Sequence, residues 1–419
     1  MTDRTYNCDV LIIGAGPAGM AAACSAAESG RRVTIIDDNP TPGGQIWRGE
    51  EAKPSSREAI KWFRKIESLN AELISGARVV DQPQSARLTA ETYDAVLDLT
   101  YERLIIATGA RECFLPFPGW TLPNVFGAGG LQSLVKSGYP ISGKKVVVAG
   151  SGPLLPAVAA YLKNKGADVV LIAEQAPFSR LLKFGLGLIS LPGKIFQAIG
   201  LQRQLVTVPY IKSCWPVTAH GEEKLTGVTL RQGEKIWHVD CDYLACGFHL
   251  VPNTELPEML GCTIDNGVVQ VDDYQQTSQP GIFCAGESTG IGGLELSLTE
   301  GQIAGFASAG NQDAAIKIFA ERDKHRRFAR GLNEAFTLRD ELKLLPEDGT
   351  IVCRCEDVTF ARLKNQRSWR DAKLQTRCGM GPCQGRICGP ATEFLLGWGM
   401  DSVRPPVFAA RVESLTNPE

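Results

Sequence analysis

"CDVLIIGAGPAGMAAACSAAESGRRVTIID", residues 8–37, runs from an unbroken apolar stretch through a glycine turn and an alanine-rich stretch to a second apolar run. That order predicts strand, turn, helix, strand. Gly14 permits the tight turn, Gly16 lets backbone amides approach a pyrophosphate at the helix N-terminus, and Gly19 lets the helix lie close to the sheet. Pro17 and Ala18 open the helix between the second and third glycines. Asp37 stands 23 residues after Gly14, and with Asp38 beside it supplies an acid where the ribose hydroxyls of a bound dinucleotide need an acceptor. A chance glycine-rich turn would not bring the flanking strands, helix and acid with it.

Outward from this stretch, 419 residues exceed what one hydrophobic core organises, so two or three domains are expected. The 44 basic and 46 acidic residues leave a net charge of −2 and form no long run of either sign. On that average the chain carries no electrostatic footprint for nucleic acid or an anionic membrane. The first strand begins too early to leave room for a secretory leader, which predicts a cytoplasmic protein. The most apolar later stretch, residues 181–201, is interrupted by Lys183, Pro192 and Lys194 and falls short of a transmembrane segment. It reads as helices packed on a domain or a partner. Thirteen cysteines in a reducing compartment are not a disulfide framework. The scattered Cys8, Cys24, Cys113, Cys214, Cys262 and Cys284 read as core, as do Cys241 and Cys246 on a buried strand.

Three further signatures follow in order: "NPTPGGQIW" with Gly43, Gly44 and Gln45; "YERLIIATGAR" with Ala107, Thr108 and Gly109; and "TSQPGIFCAGESTGIGG" with Gly286 and Glu287. Together they resemble the two-dinucleotide-domain flavoproteins that include thioredoxin reductase. The resemblance implies FAD, with the Gly-Gly-Gln loop along the flavin, the Ala-Thr-Gly strand near it, and an acid after Ala-Gly on its ribityl and pyrophosphate part. Here that acid is Glu287, where the family usually has Asp.

Residues 144–174, "KKVVVAGSGPLLPAVAAYLKNKGADVVLIAE", repeat the layout 136 residues further on. Leu155 replaces the third glycine, and counting places Ala173, not an acid, opposite Asp37, with Glu174 one step later. In the resembling family this inserted domain binds NAD(P)H. Here the site is open between NAD, another adenine nucleotide and no ligand. The redox dithiol of thioredoxin reductases is missing, so dithiol exchange is not the chemistry. His220, His238, His249 and His325 are dispersed and name no catalytic base, and the catalytic residues stay unassigned.

After a charged connector the chain reads "IVCRCEDVTF" and then "LQTRCGMGPCQGRICGP". Cys353, Cys355, Cys378 and Cys383 are four candidate thiolates on glycine-bearing loops, with Cys388 as an alternative fourth. Such a set suits a 2Fe-2S cluster, and spacing alone does not separate that from zinc. The segment resembles bacterioferritin-associated ferredoxin domains, whose last pair is more closely spaced. The whole combination resembles the alpha subunits of heteromeric FAD-dependent amino-acid and opine dehydrogenases: D-hydroxyproline and proline dehydrogenases, octopine and nopaline oxidases, and the B subunit of hydrogen cyanide synthase.

The resemblance implies an α/β fold with two Rossmann-like domains and a small α-rich C-terminal 2Fe-2S domain. The expected segments are 1–125 and 256–315 for FAD, 126–255 for the inserted nucleotide domain, 316–350 for a helical connector and 351–419 for the cluster. It also implies a beta subunit resembling D-amino-acid or glycine oxidases that oxidises the amine, FMN at a subunit interface, a small ferredoxin-like gamma subunit in some complexes, and a downstream electron acceptor. The competing reading is a self-sufficient NAD(P)H-dependent flavin reductase that passes electrons through the cluster to a soluble acceptor.

Overall fold

The computed structural model describes residues 2–49, 56–69, 71–188, 191–400 and 402–416. The chain forms two compact units. The first comprises Met1–Arg111, Pro252–Arg330 and Ser402–Glu419; the second comprises Glu112–Val251 and Gly331–Asp401. The cysteine-bearing segment therefore groups with the second nucleotide fold, while the chain from Ser402 onward groups with the first unit. The expected segment 351–419 is divided between them.

In the first unit a parallel sheet runs in the order Glu72–Ser75, Val33–Asp37, Thr2–Ile13, Ala95–Ile106, and the short strand Ile282–Cys284 pairs with the end of Ala95–Ile106. Val10, Leu11 and Ile12 are fully buried because helices and loops cover both faces, which is why the strand reads as a continuous apolar run. The other half of Ala95–Ile106 pairs antiparallel with Arg87–Glu91, which in turn pairs with Arg78–Gln84. The C-terminal tail returns here: Val407 N donates to Val80 O at 2.9 Å, and Ser414 Oγ donates to Glu91 at 2.7 Å.

The helix Pro17–Glu28 has few large side chains because another helix, Leu294–Ser308, lies directly on it. A Cβ at Gly301 would stand closer than 3.0 Å to the Ala18 carbonyl, and one at Gly305 would do the same to Ala22. Small residues four apart on both helices thus set the backbone separation, and they hold the glycine turn over the ends of the strands.

In the second unit the parallel sheet is Tyr210–Lys212, Asp168–Glu174, Lys145–Ser151, Tyr243–Phe248, Val125–Gly127. Helices Ala128–Lys136 and Leu154–Asn164 contribute to a core with Val146, Val148 and Leu155. A three-stranded antiparallel sheet, Cys214–His220, Gly227–Gln232, Lys235–Asp240, contributes to a second core with Phe117, Trp120 and Trp215. Leu342 and Leu345 of the connector enter this second core, and the Trp120 indole N–H donates to Ile351 O at 2.6 Å. The cysteine segment has its own small core of Val352, Val358, Leu363, Trp369 and Ala372. Among the described residues no helix is long and apolar enough to cross a membrane.

The helix contact gives a direct test. Gly301→Val is expected to destabilise the protein by about 1–3 kcal/mol through overpacking. Gly185→Ala, at an exposed helical position with open space around it, is expected to be neutral or to gain up to about 1 kcal/mol. Denaturant unfolding of the two variants distinguishes them.

Candidate functional site

The structure brings together nearly all the residues named for the first dinucleotide site. A Cβ on Gly14 would collide with the Ala107 carbonyl, and one on Gly19 with the Gly14 carbonyl, so both glycines are dictated by close backbone approach. Gly43 N donates to Ala15 O at 2.8 Å, and Gly44 rests against Gly16, where an added Cβ would lie 3.1 Å from the Gly16 Cα. Thr108 Oγ1 lies 3.0 Å from Ser288 Oγ, which joins the Ala107–Thr108–Gly109 segment to the turn Gly286–Thr289. Gln45 is exposed on the Gly-Gly loop.

The two aspartates separate in role. Asp37 accepts from Ala15 N at 2.5 Å and from Asn39 N and Nδ2 at 2.7 Å, so its carboxylate is engaged in holding its own turn. Asp38 is about half exposed; its Oδ1 accepts from Asn39 Nδ2 at 3.2 Å and it meets Arg78 at 3.6 Å, so it is the more outward of the two acids.

Glu287 accepts from Gly293 N at 3.0 Å through Oε1, while its buried Oε2 has no hydrogen-bond partner. Burial raises its pKa, and the amides of Gly293 and Gly292 pull the other way. An orphaned buried carboxylate oxygen beside a glycine cradle fits a hydroxylated ligand such as the ribityl chain of FAD.

The turn that carries Glu287 is held by a pair that inspection of the sequence missed. Glu300 is nearly inaccessible; its Oε2 accepts from Gly286 N at 3.2 Å and Thr289 Oγ1 at 2.8 Å. Its Oε1 accepts from Arg326 Nε and Nη2 at 3.2 and 3.1 Å. Burial raises the Glu300 pKa, opposed first by the Arg326 charge. Twenty-six residues separate the partners, and no local motif announces them.

In the second fold Gly150 approaches the Gly247 carbonyl as Gly14 approaches Ala107. Glu174, not Ala173, is the counterpart of Asp37: it accepts from Gly152 N at 2.9 Å and Ala176 N at 2.8 Å. The strand pairing shifts between Val169 and Leu171, and this bulge absorbs the extra residue that counting along the sequence could not place. Gln175 then stands where Asp38 stands in the first fold. It is wholly buried, and its Nε2 donates to Ser151 Oγ at 2.8 Å and approaches the carbonyls of Phe336 and Thr337 at 3.4 Å. Ser151 Oγ donates to Phe336 O at 3.0 Å. The connector is thus bonded to the residues beside the second glycine turn.

In the tail, Cys353, Cys378 and Cys388 are buried with their sulfurs all within 4.8 Å of one another. Cys355 and Cys383, nearer solvent, have their sulfurs 3.5 Å apart. Cys383 and Cys388, the two alternatives for a last ligand, each have their own thiol neighbours. Gly379 and Gly385, at φ +78° and +84°, wrap the turn around the Trp369 ring, and Gly381 leaves room for Cys355. Hydrogen bonds from Cys378 and Cys388 hold the Cys353 thiol far below its ordinary range. For ligand bonds of about 2.3 Å in a tetrahedral arrangement, two sulfurs on one metal sit about 3.8 Å apart; the Cys355–Cys383 separation of 3.5 Å is close to that.

By contrast, the eight cysteines of the two nucleotide folds are all buried, and burial raises the thiol pKa of Cys24, Cys214 and Cys241 to about 12. His220 and His238 stack edge-on with ring centroids 5.1 Å apart and serve the antiparallel sheet.

The family model described as pyridine nucleotide-disulphide oxidoreductase matches residues 8–307, and the chain belongs to this FAD-dependent oxidoreductase family. Within it, the chain is 31% identical to the HcnB subunit of hydrogen cyanide synthase from Pseudomonas aeruginosa over 91% of each chain. It is also 31% identical to the opine oxidase A-subunit of Agrobacterium tumefaciens, over 94% of this chain and 87% of that one. Its fold is similar to that of L-proline dehydrogenase from P. horikoshii, with a TM-score of 0.70 at 18% identity over the whole of this chain and 81% of the other. T. acidophilum thioredoxin reductase is similar over 75% of this chain, with a TM-score of 0.53.

Arg326→Met leaves the Glu300 charge buried without its partner and is expected to cost about 3 kcal/mol. The same variant should release flavin more readily, with Arg326→Lys recovering part of both losses. Urea unfolding and flavin retention on gel filtration check this.

Proposed function

We propose that this chain is the electron-transferring flavoprotein subunit of a heteromeric dehydrogenase that oxidises an amino acid or opine, with the amine bound on a partner subunit. The observation that carries the reading is the placement of the thiols. Five gather in the tail, and those of the nucleotide folds are buried packing residues. The likeness to HcnB and to the opine oxidase A-subunit supports it, since both are components of multi-chain enzymes and both are matched over most of their length.

FAD would rest on Gly14, Gly16, Gly19, Gly43 and Gly44, with Asp38 toward the ribose and the free oxygen of Glu287 toward the ribityl chain. When bound, FAD supplies two-electron acceptance and a 2Fe-2S cluster a one-electron outlet. Cys355 and Cys383 would hold one iron, and two of Cys353, Cys378 and Cys388 the other. The residues of this chain position and insulate: Asp37 and Glu300 fix the two turns, and the Trp369 packing shields the inner thiols from water. The partner would be a beta subunit of the D-amino-acid or glycine oxidase type, with an FMN between subunits, a downstream acceptor and a ferredoxin-like gamma subunit completing the path.

The connector's bonds to Ser151 and Gln175 argue against the self-sufficient NAD(P)H reductase. The ribose-side position of the second fold holds a neutral, buried amide tied to this chain's own backbone. We read that site as taking neither NAD nor another adenine nucleotide.

Purification of the native complex tests the reading. A second flavoprotein subunit is expected to come with this chain, and dye reduction by a panel of L-proline, trans-4-hydroxy-D-proline, octopine, nopaline and glycine should require both. NADH and NADPH should leave the flavin of the isolated chain oxidised. Amine oxidation by the chain alone would defeat the heteromeric reading, and rapid bleaching by either nicotinamide would restore the reductase reading.

A further inference from the structure

Within the second unit, helix Phe178–Gly187 has no buried residue. Phe178, Leu182 and Leu186, at successive four-residue intervals, are 56%, 51% and 61% exposed and form one stripe. The opposite side of the helix carries Phe184, which packs edge-on against Phe336 of the connector with ring centroids 6.1 Å apart. The stripe therefore belongs to a helix already anchored by its other face. In the next helix, Pro192–Gln204, the apolar residues are less segregated: Leu201 packs toward the core while Phe196 is 74% and Ile199 43% exposed, with Val206 beyond its end at 80%. Apolar side chains in this number on two elements consecutive in the chain are not the scattered singles of an ordinary surface.

The segment's own charge is one-sided. From residue 175 to residue 221 the sequence has no Asp or Glu, whereas it carries Arg180, Lys183, Lys194, Arg203 and Lys212. Lys212 lies over the Phe178 ring at 4.7 Å, and Lys183 meets Glu334 at 3.8 Å with both side chains largely exposed. A chain whose overall charge is −2 has thus placed a purely basic segment around its most exposed apolar helices. The average composition hid this asymmetry.

We propose that helix Phe178–Gly187 and the stretch from helix Pro192–Gln204 to Val206 form a peripheral membrane-binding surface that lays its apolar side chains into an anionic lipid leaflet, with the lysines and arginines at the headgroups. Exposed apolar side chains on a segment that carries cations and no acid of its own are the composition of helices that lie in the bilayer interface. Protein interfaces are depleted in lysine, so a protein partner fits this lysine-bearing segment less well. Neither helix is long and apolar enough to span, so the attachment is reversible and superficial. The inference needs neither the flavin nor the cluster, and its failure would leave the proposed electron-transfer role untouched.

Co-sedimentation of the full chain with phosphatidylcholine vesicles, with and without phosphatidylglycerol, tests it. Binding to the anionic vesicles is expected to be at least about tenfold stronger, and to weaken as salt rises. Leu182→Glu with Leu186→Glu, both at exposed positions, should lower that binding by about tenfold or more while the unfolding midpoint stays unchanged. Equal binding to both vesicle types, or a double variant that binds like the wild type, overturns the proposal. A double variant that loses its partner subunit, in a complex that never binds vesicles, assigns the stripe to a protein contact and also overturns it.

Discussion

A carboxylate at the end of a strand, accepting hydrogen bonds from the backbone of the neighbouring glycine turn, is the interaction on which both nucleotide folds depend. Asp37 does this for the turn at Ala15, and Glu174 for the turn at Gly152. The turn must expose some amides to a phosphate and still satisfy those that face the protein, and a buried amide left unpaired is costly. That duty takes up three of the roughly four acceptor positions of Asp37. The residue that follows the acid differs between the two copies. In the first fold this is Asp38, half exposed; in the second it is Gln175, buried and bonded to the connector.

The two copies differ plainly at that position. An outward carboxylate can meet ribose hydroxyls, whereas a buried amide engaged with Ser151 and near the Phe336 and Thr337 carbonyls is part of the core. The second fold keeps the strand order, the first glycine and the capping acid, which are requirements of folding. Leu155 joins the core in place of a third glycine. It has become a base on which the connector and the cysteine segment pack, through Leu342, Leu345 and the Trp120 to Ile351 hydrogen bond.

Much of the first site was legible in the sequence, because its glycines answer to local backbone contacts that a strand-turn-helix pattern already implies. Gly14 against Ala107 and Gly19 against the turn are of this kind. The rest depended on features that have no linear signature. A bulge at Val170 moved Glu174 into register, which no fixed count from Gly150 could reveal. Glu300 and Arg326 meet only because two helices bring them together. The spacing of the cysteines suggested four ligands in sequence order, yet the turn around Trp369 brings Cys388 beside Cys353 and sets Cys383 beside Cys355. The basic, acid-free stretch was visible throughout, but only the exposure of Leu182 and Phe196 gives it meaning.

The central claim is that electrons leave the flavin through the tail, and paramagnetic resonance of the anaerobic native complex after addition of its amine substrate addresses it most directly. The account predicts a reduced 2Fe-2S signal that requires the amine and disappears in the Cys355→Ser variant while flavin bleaching persists. A cluster that stays oxidised as the flavin bleaches, or zinc in place of iron and sulfide, would contradict it.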